Sequence, residues 1–272
     1  MSAHPDTTAT YVYCLVRSPA APSLAEAPEG MPGTSALRMV SVEDSPVEDG
    51  LWLVAADAPL SAYGSDEIER RLSDIDWVSE RALAHERVVE HFAALGTVLP
   101  MKLFTLFHGD ERAAAQIRER REEIGRVLDR IAGRVEWGVR ILFREDEARR
   151  QALATVQATP DPDTSRPASG TSFLQRKKAE KESARNLTGK ARIEVQNAYD
   201  ELARHAAEAR RREPAPGEAG ARLLLDAAFL VPSGDGEAFE AEVRRQADRL
   251  GPSCEVTLTG PWPPYNFLGG AA

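Results

Sequence analysis

The chain has 272 residues, with 34 Lys and Arg against 43 Asp and Glu, a formal net charge of −9, two cysteines and 42% hydrophobic residues. That length suits two domains and that apolar content supplies a core, while the acidic balance argues against a protein that coats nucleic acid or anionic lipid. No run of roughly 18 apolar residues offers a membrane span, the first residues lack the basic start and apolar core of a secretory leader, and Cys14 and Cys254 stand alone, so membrane, secreted and disulfide-framework classes are excluded.

Charge is unevenly placed. Residues 1–100 carry 16 acids and six bases, whereas 101–272 carry 27 acids and 28 bases. An acidic first module therefore precedes a near-neutral remainder.

YVYCLVR (11–17) is rich in β-branched and aromatic residues and predicts a buried strand. Four prolines and two glycines make 18–34 a loop. ALRMVSV (36–42) and LWLVAAD (51–57) read as two more strands around a turn ending at Gly50. Ser65-Asp66 offers a cap for a short charged helix. Val78, Leu83, Val88, Val89, Phe92 and Leu95 recur near helical spacing, which predicts a helix over about 77–95 that ends at Gly96. TVLPMKLFTLF (97–107) is extended, and its Pro100 belongs at a strand start, bulge or edge. Ile117, Ile124, Val127, Leu128 and Ile131 predict one helix over 110–131, followed by a strand at 134–143 and a polar helix at 145–157.

TPDPDTSRPASGT (159–171) is the clearest linker. The charged stretch 172–212 predicts one long helix, with Gly189 its sole breaker. On it, Val195, Tyr199, Leu202, Ala206 and Ala209 form a narrow stripe, of which Val195, Tyr199 and Leu202 are a candidate seam for packing on a sheet or against a partner helix. A strand (221–231), a turn (233–236), a helix (237–250) and an alternating strand (254–260) complete the order. Strands interleaved with helices place the chain in the α+β class. The domains fall at 1–132 and 133–260, the latter interrupted by the loop 159–171, with a tail at 261–272.

Chemical motifs fail on inspection. His85 and His91 are six apart, so they lie on different faces of a helix, and Val89 stands where HExxH needs its second histidine. Thr188-Gly189-Lys190 lacks the earlier glycine and the following hydroxyl of a phosphate loop. Asp161, Asp163 and Ser165 echo a calcium loop, but Arg166 replaces its glycine. The basic residues of 171–213 sit among acids with few aromatics, the pattern of a solvated helix. Catalytic, cofactor and metal residues are expected to be none.

The tail differs. Gly260-Pro261-Trp262-Pro263-Pro264-Tyr265-Asn266-Phe267 holds three prolines and three aromatics. Proline keeps it from continuing a strand or helix, and aromatics need cover. Trp262, Pro263, Pro264, Tyr265 and Phe267 are candidates for docking, either as a clasp over the last strand and domain or on a partner.

TGPWPPYNF after a final strand resembles the ending of the gas vesicle accessory proteins of the F/L family. YVYCLV resembles that family's opening strand. His85, Val88, Val89 and Glu90 followed by TVLPMKLFTLF resemble its middle block, and VEWGVRILF, SGTSFLQRK and LLLDAAFLV follow in the family's order. Leu103 and Phe173 depart from the commoner residues. The resemblance covers residues 11–268.

It implies two α+β domains, a modified ferredoxin-like first and a ferredoxin-like second with a long helix, and a tail that packs back. It also implies a non-enzymatic assembly factor or minor component of gas vesicles, in the cytoplasm. Its partners would be the hydrophobic shell protein and other accessory proteins, with no nucleic acid, lipid membrane or cofactor. On the residues alone two other classes stay open. One is a cytosolic enzyme whose site assembles around His85, His91 and His108; the other is a regulatory protein that binds a small ligand on a ferredoxin-like sheet.

Overall fold

The structure is a computed structural model. It describes residues 7–43, 50–157, 170–212 and 221–269, with the backbone alone at 152–157 and 170–184. Most of the turn before Gly50, most of the linker 159–171 with its Asp161/Asp163 spacing, and the segment 213–220 lie outside the described residues. The fold is mixed α/β with two antiparallel sheets, in two compact units: residues 1–135 with 262–272, and residues 136–261.

The first unit runs β1 (Thr8–Arg17), β2 (Arg38–Ser41), β3 (Leu51–Pro59), α1 (Leu60–Tyr63), α2 (Ser65–Arg71), α3 (Ile75–Leu95), β4 (Thr97–Pro100), β5 (Leu106–Phe107), α4 (Asp110–Glu119) and α5 (Arg121–Ile131). Its strand order is β2-β3-β1-β4, with β5 also on β1. β1 reads as a continuous apolar run because both its faces are covered. One face carries Tyr11, Tyr13 and Val16, which pack with Val88, Val89 and Phe92 of α3. On the other, the Thr10 hydroxyl donates to Asp110 at the start of α4, 2.7 Å away. Arg38 on β2 forks onto the same carboxylate at 2.9 and 2.6 Å and holds Asp110 below the usual carboxylate range. A register shift between Val12 and Cys14 leaves Tyr13 unmatched on β3, a β-bulge that switches the alternation, so that Cys14 and Val16 join Tyr11 and Tyr13 in the core shared with α3.

The proline-rich crossover from β1 to β2 is a loop, pinned by two tyrosine hydroxyls. Tyr13 accepts from the Met31 amide at 2.8 Å, and Tyr63 donates to the Pro32 carbonyl at 2.6 Å. Pro100 closes β4, which ends the strand order, where its missing N–H costs nothing.

Two local expectations change here. Ser65 lies inside α2, whose cap position is Gly64 with no side-chain bond, whereas Asp74 caps α3 by accepting from the Trp77 amide at 3.1 Å. The helix predicted over 110–131 breaks at Arg120 (φ −106°, ψ 17°), where no glycine or proline announces it.

The second unit runs β6 (Arg134–Phe143), α6 (Glu145–Gln157), α7 (Gly170–Arg204), β7 (Glu208–Arg211), β8 (Arg222–Pro232), a 3-10 turn (Ser233–Asp235), α8 (Gly236–Leu250) and β9 (Cys254–Trp262). Its strand order is β7-β8-β6-β9. Phe229 of β8 is the hub, touching Tyr199 of α7 at 5.7 Å and Phe239 of α8 at 5.4 Å between ring centres.

The helix expected over 172–212 ends at Arg204, and Gly189 does not interrupt it. After a turn, the Ala207 amide reaches the Leu230 carbonyl at 2.8 Å, and Glu208–Arg211 pair antiparallel with β8. Ala-Ala-Glu-Ala-Arg favours a helix, but a free strand edge offers four residues a full ladder, and tertiary pairing wins.

The last strand also exceeds its expected end, running through a cis Gly260–Pro261 bond to Trp262. β9 ends its sheet's strand order, the place where proline is tolerated in a strand. Gly260 sits at φ 116°, and a Cβ there would lie 2.7 Å from the Glu136 carbonyl oxygen. Gly260→Ala is expected to destabilise the second unit by about 2 kcal/mol or more, combining backbone strain with a clash against main chain. A urea titration against wild type checks this; an unchanged midpoint would show that the bend relaxes.

Candidate interaction surface

The tail docks on the first unit. Pro263 and Pro264 are buried, and Tyr265–Phe267 form a 3-10 turn. The Tyr265 hydroxyl donates to Glu86 Oε2 of α3 at 2.7 Å, and its ring packs against the Tyr11/Tyr13 core. Burial, with the Glu86 carboxylate beside it, pushes the Tyr265 phenol far above its ordinary value. Phe267 is fully buried, and its carbonyl accepts from Arg130 of α5. The expected clasp over the last strand and domain is thus corrected. The apolar slot and the polar partners for this tail lie in the first unit. Trp262 alone among the five tail candidates is exposed, at 42%.

Val195 and Leu202 are buried, and Tyr199 is half-buried between Phe229 and the Arg211 guanidinium, 4.5 Å from its ring centre. That stripe packs on its own sheet.

His85 anchors the middle block. Its Nε2–H donates to the Met101 carbonyl at 3.0 Å, so Nδ1 is the acceptor for the Tyr11 hydroxyl at 2.6 Å. Tyr11 in turn accepts from the Phe104 amide at 3.3 Å. The ring also stacks on Tyr13, centres 5.5 Å apart. Burial lowers the His85 pKa to about 4. Every polar atom of this imidazole is committed to holding the 101–105 turn on β1. There Phe104, at φ 65°, stacks on Trp77 at 5.4 Å, with the Arg81 guanidinium 4.2 Å from the same indole. His91 lies half-buried against Phe92, and His108 is exposed. The three histidines thus sit in different surroundings, buried, half-buried and exposed.

α2, α3 and the turn between them leave some apolar residues outward: Leu72, Ile75 and Leu83 are 56%, 77% and 59% exposed. Glu69, Asp76 and Glu90 are exposed on the same helices, as are Arg70 and Arg87. Periodicity assigned Leu83 to the core; it falls instead near the middle of the solvent side, since Trp77, Arg81, His85, Val88 and Phe92 define the buried one. Among the described residues, one group could hold a metal ion: Glu201, His205 and Glu242. The pair Glu201/His205 was visible as an i, i+4 spacing, but Glu242 comes from another helix.

A family model described as gas vesicle synthesis protein GvpL/GvpF matches residues 9–269. The chain belongs to that family. It is 29% identical over 226 residues to gas vesicle protein L of Streptomyces sp. (strain CB03234), covering 80% of each chain. To gas vesicle protein F of the same organism it is 25% identical over 260 residues, 95% of this chain and 99% of that one. The fold resembles crystal structures of GvpF from Anabaena sp. PCC7120 (TM-score 0.66, 18% identity, 96% of both chains) and Microcystis aeruginosa (0.64, 17%, 96% of this chain and 99% of that one). Among the described residues of this GvpL/GvpF family member, no helix is long and apolar enough to cross a membrane.

Proposed function

We propose that the chain is a non-enzymatic gas vesicle assembly factor in the cytoplasm, which binds the hydrophobic shell protein and other accessory proteins during vesicle nucleation and stays as a minor vesicle component. The observation that carries this reading is the family match over residues 9–269. A ferredoxin-like reading of both units goes with it. In each, four strands in chain order take the same positions, second-third-first-fourth, and the first unit has a loop where the second has α6 and α7.

A shell protein that excludes water is aggregation-prone before assembly, so a factor that escorts it needs a charged exterior and a restricted apolar contact. Leu72, Ile75 and Leu83, exposed on and between α2 and α3 of the first unit, are the proposed contact. The stripe at Val195, Tyr199 and Leu202 contributes by rigidifying α7 rather than by touching a partner.

Co-expression with the shell protein and pull-down tests the proposal. Wild type is expected to retain shell or accessory proteins. Ile75→Glu with Leu83→Glu is expected to weaken retention at least tenfold while stability stays within about 0.5 kcal/mol, as for surface changes. Wild type that captures none of these proteins would overturn the function. Capture unaffected by the double variant would move the contact elsewhere.

A further inference from the structure

The geometry points to a divalent transition-metal site in the second unit, held by Glu201, His205 and Glu242, with zinc the best-matched ion. Glu201 is on the last turn of α7, His205 follows one turn later, and Glu242 faces them from α8. His205 Nε2 lies 4.0 Å from Glu201 Oε1 and 3.7 Å from Glu242 Oε2, and the three ligand atoms are all within 4.8 Å of one another. These separations are too long for hydrogen bonds between the groups. A point equidistant from all three lies no more than about 2.5 Å from each, so a few tenths of an ångström of side-chain movement gives zinc bonds of about 2.0–2.1 Å.

The surroundings suit ligands rather than a bare acidic patch. Arg204 holds Glu201 through Oε2, which leaves Oε1 turned to the imidazole. Glu242 is 4% exposed; Gln246 donates to its Oε1 at 2.5 Å, and Arg245 donates through both Nε, at 2.9 Å, and Nη2 to Oε2, the oxygen facing His205, so a bound ion would share that oxygen with the guanidinium or displace it. Carboxylates oriented in this way by outer partners are what a fixed metal site requires. One imidazole and two carboxylates form a borderline donor set, which selects zinc over calcium or magnesium. Because the ligands come from α7 and α8, a bound ion would tie the end of the long helix to its neighbour.

The full chain, stripped with EDTA and desalted, would be titrated with zinc chloride by calorimetry and with cobalt(II) by visible absorption. Expected are one ion per chain at the site, a tetrahedral cobalt spectrum, and no displacement by excess magnesium or calcium. His205 is exposed, so His205→Ala should leave the fold intact by circular dichroism. It should weaken zinc binding about 100-fold or more, beyond the 10–100-fold loss typical of outer partners. Glu201→Gln, also near the surface, should weaken it in parallel and lose the cobalt bands. Wild type without zinc affinity better than about 1 mM, or variants that bind as wild type does, would reduce the cluster to an ion-pair network and overturn the site.

Discussion

Phe267→Ala is expected to destabilise the first unit by about 3–5 kcal/mol, the cost of emptying a fully buried phenylalanine site. The loss combines the transfer energy of the ring with the cost of the cavity it leaves. Arg130 grips the same residue by its carbonyl, and Tyr265 next to it is bonded to Glu86 and packed on the Tyr11/Tyr13 core. Tyr265→Phe keeps the ring and removes only the hydroxyl, so its cost should be smaller, about 1–2 kcal/mol. Hydrogen exchange locates the damage. Amides of β1 and α3 should lose protection in Phe267→Ala, while those of β8 and α8 keep theirs. Loss confined to β8 and α8 would return the tail to the last domain, where sequence reasoning had put it.

That misplacement shows where a sequence stops being readable. Three aromatics among prolines demand cover, and the chain states this plainly. Which cover they find depends on a glutamate on α3 and an arginine on α5, far away in sequence and each ordinary in its own helix. The strands at β1, β3, β6 and β8 were legible because burial of a strand writes itself as a local apolar run. β7 was not, since Glu208–Arg211 carry no strand signal and owe their state to the edge of β8. The same limit hid the metal candidate: a helix-spaced Glu201 and His205 look like many surface pairs until α8 brings a buried carboxylate opposite.

His85 shows a third kind of illegibility, in which the residue was noticed and its role was not. On an amphipathic helix it invited catalytic and metal readings. In the fold it joins the opening strand to the block that follows α3, and the bonds from Phe104 to Tyr11 to His85 to Met101 bring those distant blocks together. The motif that resembles the family's middle segment is therefore a structural fastening. Its by-products, Phe104 in the left-handed region and Trp77 sandwiched with Arg81, form a rigid base for the exposed residues of α2 and α3.

The fastening gives the protein an acid limit that can be measured. Folding holds the His85 pKa near 4, chiefly by desolvation, with the Met101 carbonyl opposing in part; the unfolded chain has the ordinary value of 6.5. Between those values the unfolded state binds the extra proton, so stability falls as pH falls. The contribution of the neutral imidazole is complete above about pH 6.5 and is lost progressively toward pH 4, about 2 kcal/mol by pH 5 and about 3 kcal/mol in all. Asp110 and Glu242 are shifted in the same sense, their pKa values also depressed, but from a lower ordinary value, so they release their stabilisation only below the ordinary carboxylate range and the two windows separate. His85→Gln can still accept from Tyr11 and donate to Met101 without titrating. It should lower stability at pH 7.5 yet flatten its decline between pH 6.5 and 5. Urea midpoints across that range decide the matter together with the imidazole NMR signal of His85. A wild-type midpoint that stays level to pH 5, or a signal that titrates near 6.5, would mean that the ring opens to water and that the fastening is looser than its three hydrogen bonds imply.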